Sequence, residues 1–357
     1  MRETHECMGV PISSFAVQIV FNRRTNAVHA LHERPQVETS PSRESMKNFG
    51  KMLITGISGL LGNNLACYFR DKYEVSGTYN SHDVAIEGVY THKCDFSNSD
   101  DIRNQISGSK PDIIIHCASL TNIEDCEANK EYTEKINVGA TRTISEAADK
   151  HDIKLIYISS DSVYDGVKGN FSENDKINPQ NYYGLSKYLG ELEVLKVPDS
   201  LVLRTNIFGW NIQKKTSLGE WVLKSLRERK PINGFKDAIF SSIYTFELAR
   251  VIDIAIQKDL SGAFNCGASD SCSKYEFAVK IAELFHSDKS LIIPISIDDY
   301  DFKAKRGKNL SLNVDKIQRY LDFNLPSVSK SVELFYNDCM LGLPNKIKKV
   351  LHNGYQR

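Results

Sequence analysis

Lys51-Met52-Leu53-Ile54-Thr55-Gly56-Ile57-Ser58-Gly59-Leu60-Leu61-Gly62 is the stretch that decides the fold. A short apolar run ends in glycines spaced three apart, and Leu61, Leu65, Tyr68 and Phe69 then repeat at helical spacing. The pattern predicts a strand that passes through a tight turn directly into a helix. Gly56 would make the turn, Gly59 would let backbone approach a pyrophosphate, and Gly62 would let the helix lie close to the strand. Amides at the helix N-terminus would face the phosphates. Gly56, Ser58, Gly59, Leu60, Leu61 and Gly62 are therefore the candidate dinucleotide site, with a purely structural turn as the alternative.

Working outward, further apolar runs at Val75-Ser76-Gly77-Thr78, Ile113-Ile114-Ile115-His116-Cys117, Leu155-Ile156-Tyr157-Ile158 and Leu201-Val202-Leu203 alternate with helical-period segments. The strands are too uniformly apolar for a sheet with one wet face, which implies helices on both sides. The expected class is α/β, a Rossmann-like doubly wound parallel sheet with a smaller C-terminal substrate-binding region. We expect a dinucleotide-binding domain over residues 49–207, with 243–258 returning to it, and a substrate-binding region over 208–242 and 259–350. Residues 1–48, polar and turn-rich beyond Phe21, read as a flexible extension rather than a signal peptide.

The chain has 357 residues, with 45 Lys+Arg balancing 45 Asp+Glu, so its formal charge is zero. Without a basic stripe, neither a nucleic-acid surface nor electrostatic membrane docking is expected. Its eight cysteines are scattered, with no Cys-x-x-Cys pair and no zinc spacing, so no metal is expected and reduced thiols imply a cytoplasmic protein.

Asn181-Tyr182-Tyr183-Gly184-Leu185-Ser186-Lys187 carries the chemistry. A spacing of i to i+4 puts Tyr183 and Lys187 on one helical face, where an ammonium beside a phenol stabilises the phenolate. Hydride transfer to a ketone builds charge on the carbonyl oxygen, and Tyr183 is the candidate proton donor. Bringing a phenol from about 10 to about 7 takes roughly three pKa units, or about 4 kcal/mol.

The Gly-x-x-Gly-x-x-Gly turn together with Tyr183-x-x-x-Lys187 resembles the extended short-chain dehydrogenase/reductase family. Ser159-Ser160-Asp161-Ser162-Val163-Tyr164-Asp165-Gly166, Tyr183 to Glu191, and Ala304-Lys305-Arg306 look like the corresponding stretches of the dTDP-4-dehydrorhamnose reductases. The resemblance covers roughly residues 50 to 340 and implies an NADPH cofactor, with NADH tolerated, and a nucleotide-sugar substrate. It also implies that Lys187 bonds the nicotinamide ribose, that Ser160 meets the substrate carbonyl, and that Cys117, Ala118, Ser119 and Thr121 line the groove, with Asp161 beside the substrate. Ser160 has an end-of-strand turn serine as its alternative. Asn137 either holds the active-site geometry, as in the family, or bonds local backbone. Asp95 resembles the aspartate at the adenine, or caps the helix near Asn98. Arg306 is a candidate for a diphosphate, or a surface arginine among Lys303, Lys305 and Lys308.

After the second strand no acid appears until Asp83, which removes repulsion toward a 2′-phosphate and favours NADPH. Ser162, Ile207 and Gly307 depart from the tyrosine, tryptophan and proline of the rhamnose-pathway enzymes, so the sugar pocket is altered, and Trp210 stands near enough in sequence to substitute. Three readings follow: a reductase of a 4-keto nucleotide sugar; a dehydratase or epimerase, disfavoured because Asp161-Ser162 lacks the dehydratase glutamate; and a regulatory subunit like the methionine adenosyltransferase beta subunit. Oligomeric state is open, a homodimer among the alternatives.

Overall fold

A computed structural model describes residues 50–347 apart from Lys214; the extension expected over 1–48 lies outside the described residues. The central sheet contains β1 (Lys51–Thr55), β2 (Glu74–Tyr79), β3 (Tyr90–Lys93), β4 (Ile113–His116), β5 (Lys154–Ser160), β6 (Leu201–Thr205) and a seventh strand, Gly262–Cys266. Their spatial order is seventh strand, β6, β5, β4, β1, β2, β3, and every neighbouring pair is parallel. The order reverses between β1 and β4, so the ligand crevice of such a sheet opens at the carboxyl ends of those two strands.

Alternation along β1 shows why both faces are covered. Met52 and Ile54 join one apolar cluster with Leu61, Leu65 and Phe69 of α1 (Leu60–Phe69), whereas Leu53 joins another with Ile102 and Ile106 of α2 (Ser99–Ser109) and Ile144 of α5 (Ala140–Lys150). Between α2 and α5 lie the short helices α3 (Ile123–Ala128) and α4 (Lys130–Glu134), the latter passing through a π turn, Lys135–Gly139, into α5. The catalytic motif falls on α6 (Tyr182–Val194).

The stretch Gly262–Cys266, assigned from sequence to the substrate-binding region, instead extends the central sheet by pairing with β6 from Gly262↔Leu201 to Cys266↔Thr205. Its sequence, Gly-Ala-Phe-Asn-Cys, is too weakly apolar to announce a buried strand. The helix Thr245–Gln257 returns to the cofactor side: Thr245 donates to Asn64 at 3.0 Å, and Asp253 accepts from Tyr68 and pairs with Lys72. Helices Leu218–Arg227 and Lys274–Leu284 open with capping boxes, Ser217/Glu220 and Ser273/Glu276. They pack with short strand pairs into the smaller region, where Trp210 stacks on Phe335 at 3.9 Å and donates its indole N–H to the Phe335 carbonyl. Trp210 is thus core, and does not supply the sugar pocket's missing tryptophan.

Candidate active site

The glycine turn is built as its spacing requires. Gly56 adopts φ +69°, and a Cβ there would lie 2.8 Å from the Ala118 backbone. A Cβ on Gly62 would lie 2.4 Å from the Gly56 carbonyl, so only glycine lets α1 sit this close to the turn. Gly59 is the exposed N-cap of α1 and has no side-chain cap, which leaves the first-turn amides free to face an anion. Closely approached backbone, a helix N-terminus and the sheet's switch point together fit a dinucleotide pyrophosphate.

Beside the turn, a buried chain of hydrogen bonds fixes the loop after β4. Cys117 N–H and Ala118 N–H donate to the Thr55 hydroxyl at 3.1 and 3.2 Å, and that hydroxyl meets His116 Nδ1 at 2.6 Å. His116 Nε2 lies 3.0 Å from the Thr141 hydroxyl, which itself donates to the Asn137 carbonyl. Thr141 must therefore accept from Nε2–H, leaving Nδ1 to accept from Thr55, so the network selects the neutral Nε2–H tautomer. Burial agrees, lowering the His116 pKa to about 3.

Asn137 lies in the π turn, a helix irregularity common at functional sites. Its side-chain oxygen accepts from Leu120 N–H at 2.8 Å and from the Ser119 hydroxyl at 3.1 Å; its amide donates to the Leu120 carbonyl and to the Ser186 hydroxyl. Its side chain therefore bonds not local backbone but the backbone of the groove loop and a side chain of α6. Thr121 is exposed at the end of that loop.

The start of α6 is pressed against the end of β5. A Cβ on Gly184 would lie 2.1 Å from the Ser162 carbonyl, so this glycine brings Tyr183 beside Ser160. The Ser160 hydroxyl accepts from Ser162 N–H at 3.1 Å and donates to Asp161 at 3.1 Å, and it stands near enough to the Tyr183 phenol to influence its pKa. Asp161 is buried, which raises its pKa, and it accepts from Asn206 at 2.9 Å. Lys187 is only 3% exposed.

Burial dominates the electrostatics of the Tyr183 and Lys187 pair in the chain alone. Burial pushes the Tyr183 phenol up to about 12, the neighbouring Ser160 hydroxyl offsetting part of this, and draws the Lys187 ammonium down to about 7. In the chain alone, desolvation outweighs any pairing of ammonium with phenolate.

Behind the catalytic face stands a second buried array that the sequence did not reveal. Glu191, one turn beyond Lys187, accepts Arg204 Nε at 3.0 Å and a guanidinium terminal nitrogen at 2.8 Å, as well as the Ser159 hydroxyl at 2.5 Å. Arg204 also donates to Tyr164, which donates to Asn265. Glu191 thereby ties α6 to β5 beside Ser160 and to β6. No local signal marks these partners, because they meet only when the sheet forms.

The remaining candidates are placed as follows. Asp95 is exposed after β3 and accepts from Ser97 N–H, while Asn98, not Asp95, caps α2. Arg306 is not a plain surface arginine: it pairs with Glu124 at 2.7 Å, lies over the Phe302 ring at 4.4 Å, and its buried Nε has no hydrogen-bond partner. Gly307 meets Gly166 backbone to backbone, with a Cβ on either clashing with the other loop. Lys274 feels both Arg306 and Asp161, and burial lowers its pKa. Among the described residues, seven cysteines are free, no group of His, Cys, Asp and Glu could hold a metal, and no helix is long and apolar enough to cross a membrane.

A sequence model of a family described as the RmlD substrate binding domain matches residues 50–340. The chain is 27% identical over 281 residues to the probable low-salt glycan biosynthesis reductase Agl14 of Haloferax volcanii, covering 77% of this chain and 93% of that protein. It is 30% identical over 280 residues to methionine adenosyltransferase 2 subunit beta of Danio rerio, covering 76% of this chain and 84% of that one. Among solved structures, dTDP-4-dehydrorhamnose reductase from Bacillus anthracis in complex with NADP matches with a TM-score of 0.73 and 25% identity, over 81% of this chain and 99% of that chain.

Proposed function

The chain belongs to the RmlD substrate-binding domain family, and we propose that it is an NADPH-dependent reductase of a 4-keto nucleotide sugar with Tyr183 as proton donor. The observation that carries the reading is the close approach of α6 to the end of β5 at Gly184, which sets Tyr183 beside Ser160 and one helical turn from buried Lys187.

A dihydronicotinamide dinucleotide supplies the hydride. Gly56, Ser58, Gly59, Leu60, Leu61 and Gly62 would hold its pyrophosphate, Asp95 its adenine end, and Cys117, Ala118, Ser119 and Lys187 its nicotinamide half. As the carbonyl oxygen gains negative charge, Ser160 donates a hydrogen bond to it and Tyr183 gives up its phenolic proton, which solvent later restores. A phenol at about 12 is fully protonated at neutral pH, the form that reduction needs. It still passes its proton downhill to an alkoxide, whose basicity approaches that of hydroxide, the conjugate base of water at about 15.7. Asn137 holds the groove loop against α6, and Thr121, Asp161 and Arg306 would border the sugar and its diphosphate. The lack of an acid from Asn80 to His82 supports NADPH over NADH, and free thiols support a reducing, cytoplasmic compartment.

Identity to methionine adenosyltransferase 2 subunit beta supports a second reading, a cofactor-binding regulatory subunit. Incubation with NADPH and a panel of dTDP-, UDP- and GDP-4-keto-hexoses, followed by absorbance of the reduced nicotinamide, separates the two. Turnover of any ketone is expected; tight NADPH binding without turnover would transfer support to the regulatory reading.

A further inference from the structure

Lys187 is buried, yet among the described residues no hydrogen bond or ion pair ends on its Nζ. What faces the ammonium instead is an aromatic ring, with Nζ 4.1 Å from the centroid of Tyr157. That is well inside cation–π range, and the attraction is strongest where water does not share it. Tyr157 is 1% exposed on β5, directly paired in register with His116 of β4, whose ring packs on it at 5.5 Å. Its ring cannot back away, because the helix that carries Lys187 also walls in its hydroxyl: a Cβ on Gly190 would lie 2.4 Å from that oxygen. The hydroxyl forms no well-made hydrogen bond. Thr141, beside it, already donates to Asn137 and accepts from His116. The ring face, and not the hydroxyl, is what this tyrosine contributes.

We infer that Tyr157 is a positioning residue for the reaction, seating the Lys187 ammonium on its ring face and favouring its charged form next to Tyr183. Its effect on catalysis rests on the reductase reading; its effect on the ammonium rests on geometry alone. The other titratable groups that act on Lys187 are Glu191 on α6, His116 on β4 and Cys117 just after it, with Tyr183 one turn earlier on α6. Glu191 is already engaged by Arg204, and His116 is neutral, so neither replaces the ring as a direct seat.

The test uses the full chain labelled with ε-¹³C-lysine, with the Lys187 resonance titrated by NMR in wild type, Tyr157→Phe, Tyr157→Leu and Tyr157→pentafluorophenylalanine. The fluorinated ring keeps the shape of the core while reversing the ring quadrupole, so it decides the matter even if the leucine variant fails to fold. Wild type and Tyr157→Phe should titrate together, near the value of about 7, with the other two about one pH unit lower. In ketone turnover near neutral pH, those two should lose kcat several-fold with KM little changed. Equal titration in all four would overturn the inference. Failure of wild type to reduce any ketone would sink the reductase reading instead, and the titration would still decide the role of Tyr157.

Discussion

The Asn137 amide donates to the Ser186 hydroxyl at 2.9 Å, and this bond ties the groove loop to the helix bearing Tyr183 and Lys187. Asn137→Ala would leave the part-buried Leu120 N–H and carbonyl without their partner and remove a donor to Ser186, which keeps its bond to the Tyr183 carbonyl, at a cost of about 1–3 kcal/mol in stability. Asn137→Asp keeps the acceptor for Leu120 but can no longer donate to Ser186. Urea unfolding should therefore rank wild type above Asp and Asp above Ala, with kcat falling in the same order. Equal kcat in all three would mean that this link does not position the catalytic helix.

Glu191→Gln leaves the Arg204 guanidinium buried without its counter-charge. Breaking one side of a buried pair costs about 3–5 kcal/mol, and the amide nitrogen that replaces one carboxylate oxygen can no longer accept from Arg204, although the remaining oxygen can still accept from Ser159. Chemical denaturation should show a lower midpoint with an unchanged slope. A shift below about 1 kcal/mol would show that Arg204 finds another partner.

Lys187 makes stability depend on pH in a direction opposite to a surface lysine. Its folded pKa, about 7, lies below the ordinary 10.5, so between these values the unfolded chain binds the extra proton. Stability from this group is lowest below pH 7 and rises toward 10.5, by at most about 1.4 kcal/mol per pH unit. Buried thiols such as Cys117 and Cys266, pushed up to about 12 from 9.0, act with the opposite sign above about pH 9. Comparison with Lys187→Met isolates the lysine: between about pH 7.5 and 9 wild type should gain stability relative to the variant. Parallel curves would place the Lys187 pKa near its ordinary value.

Much of this site was legible in the sequence, because its local rules are strong. The glycine turn demands glycine at Gly56 and Gly62 for steric reasons that act within a few residues, and Tyr183 and Lys187 share a face by helical geometry alone. Harder to read were the partners that meet across the sheet: Glu191 with Arg204, Asn137 with Ser186, Lys187 with the Tyr157 ring. The seventh strand escaped because Gly262 and Ala263 dilute its apolar pattern. Trp210 looked available to a ligand only because sequence does not show that Phe335 covers it. The spacing places phenol and ammonium on one helix but carries no information about desolvation, which dominates at both groups in the chain alone.

Two glycines should separate cofactor binding from chemistry. Gly56→Ala forces a side chain into φ +69° and onto the Ala118 backbone, and strain of about 1–3 kcal/mol predicts NADPH binding weakened by roughly 5- to 150-fold. Gly184→Ala instead wedges α6 away from the Ser160 to Ser162 turn. It should reduce kcat while leaving NADPH affinity near wild type, as fluorescence titration would show. Equal loss of binding in both variants would contradict this division of labour.

The most direct test of Tyr183 as proton donor is the single-turnover rate of ketone reduction by Tyr183→Phe, with NADPH saturating. The substitution keeps the ring and removes the only proton that the proposed mechanism transfers. The rate should fall by at least about two orders of magnitude while NADPH still binds. An unchanged rate would contradict the account and remove Tyr183 from the chemistry.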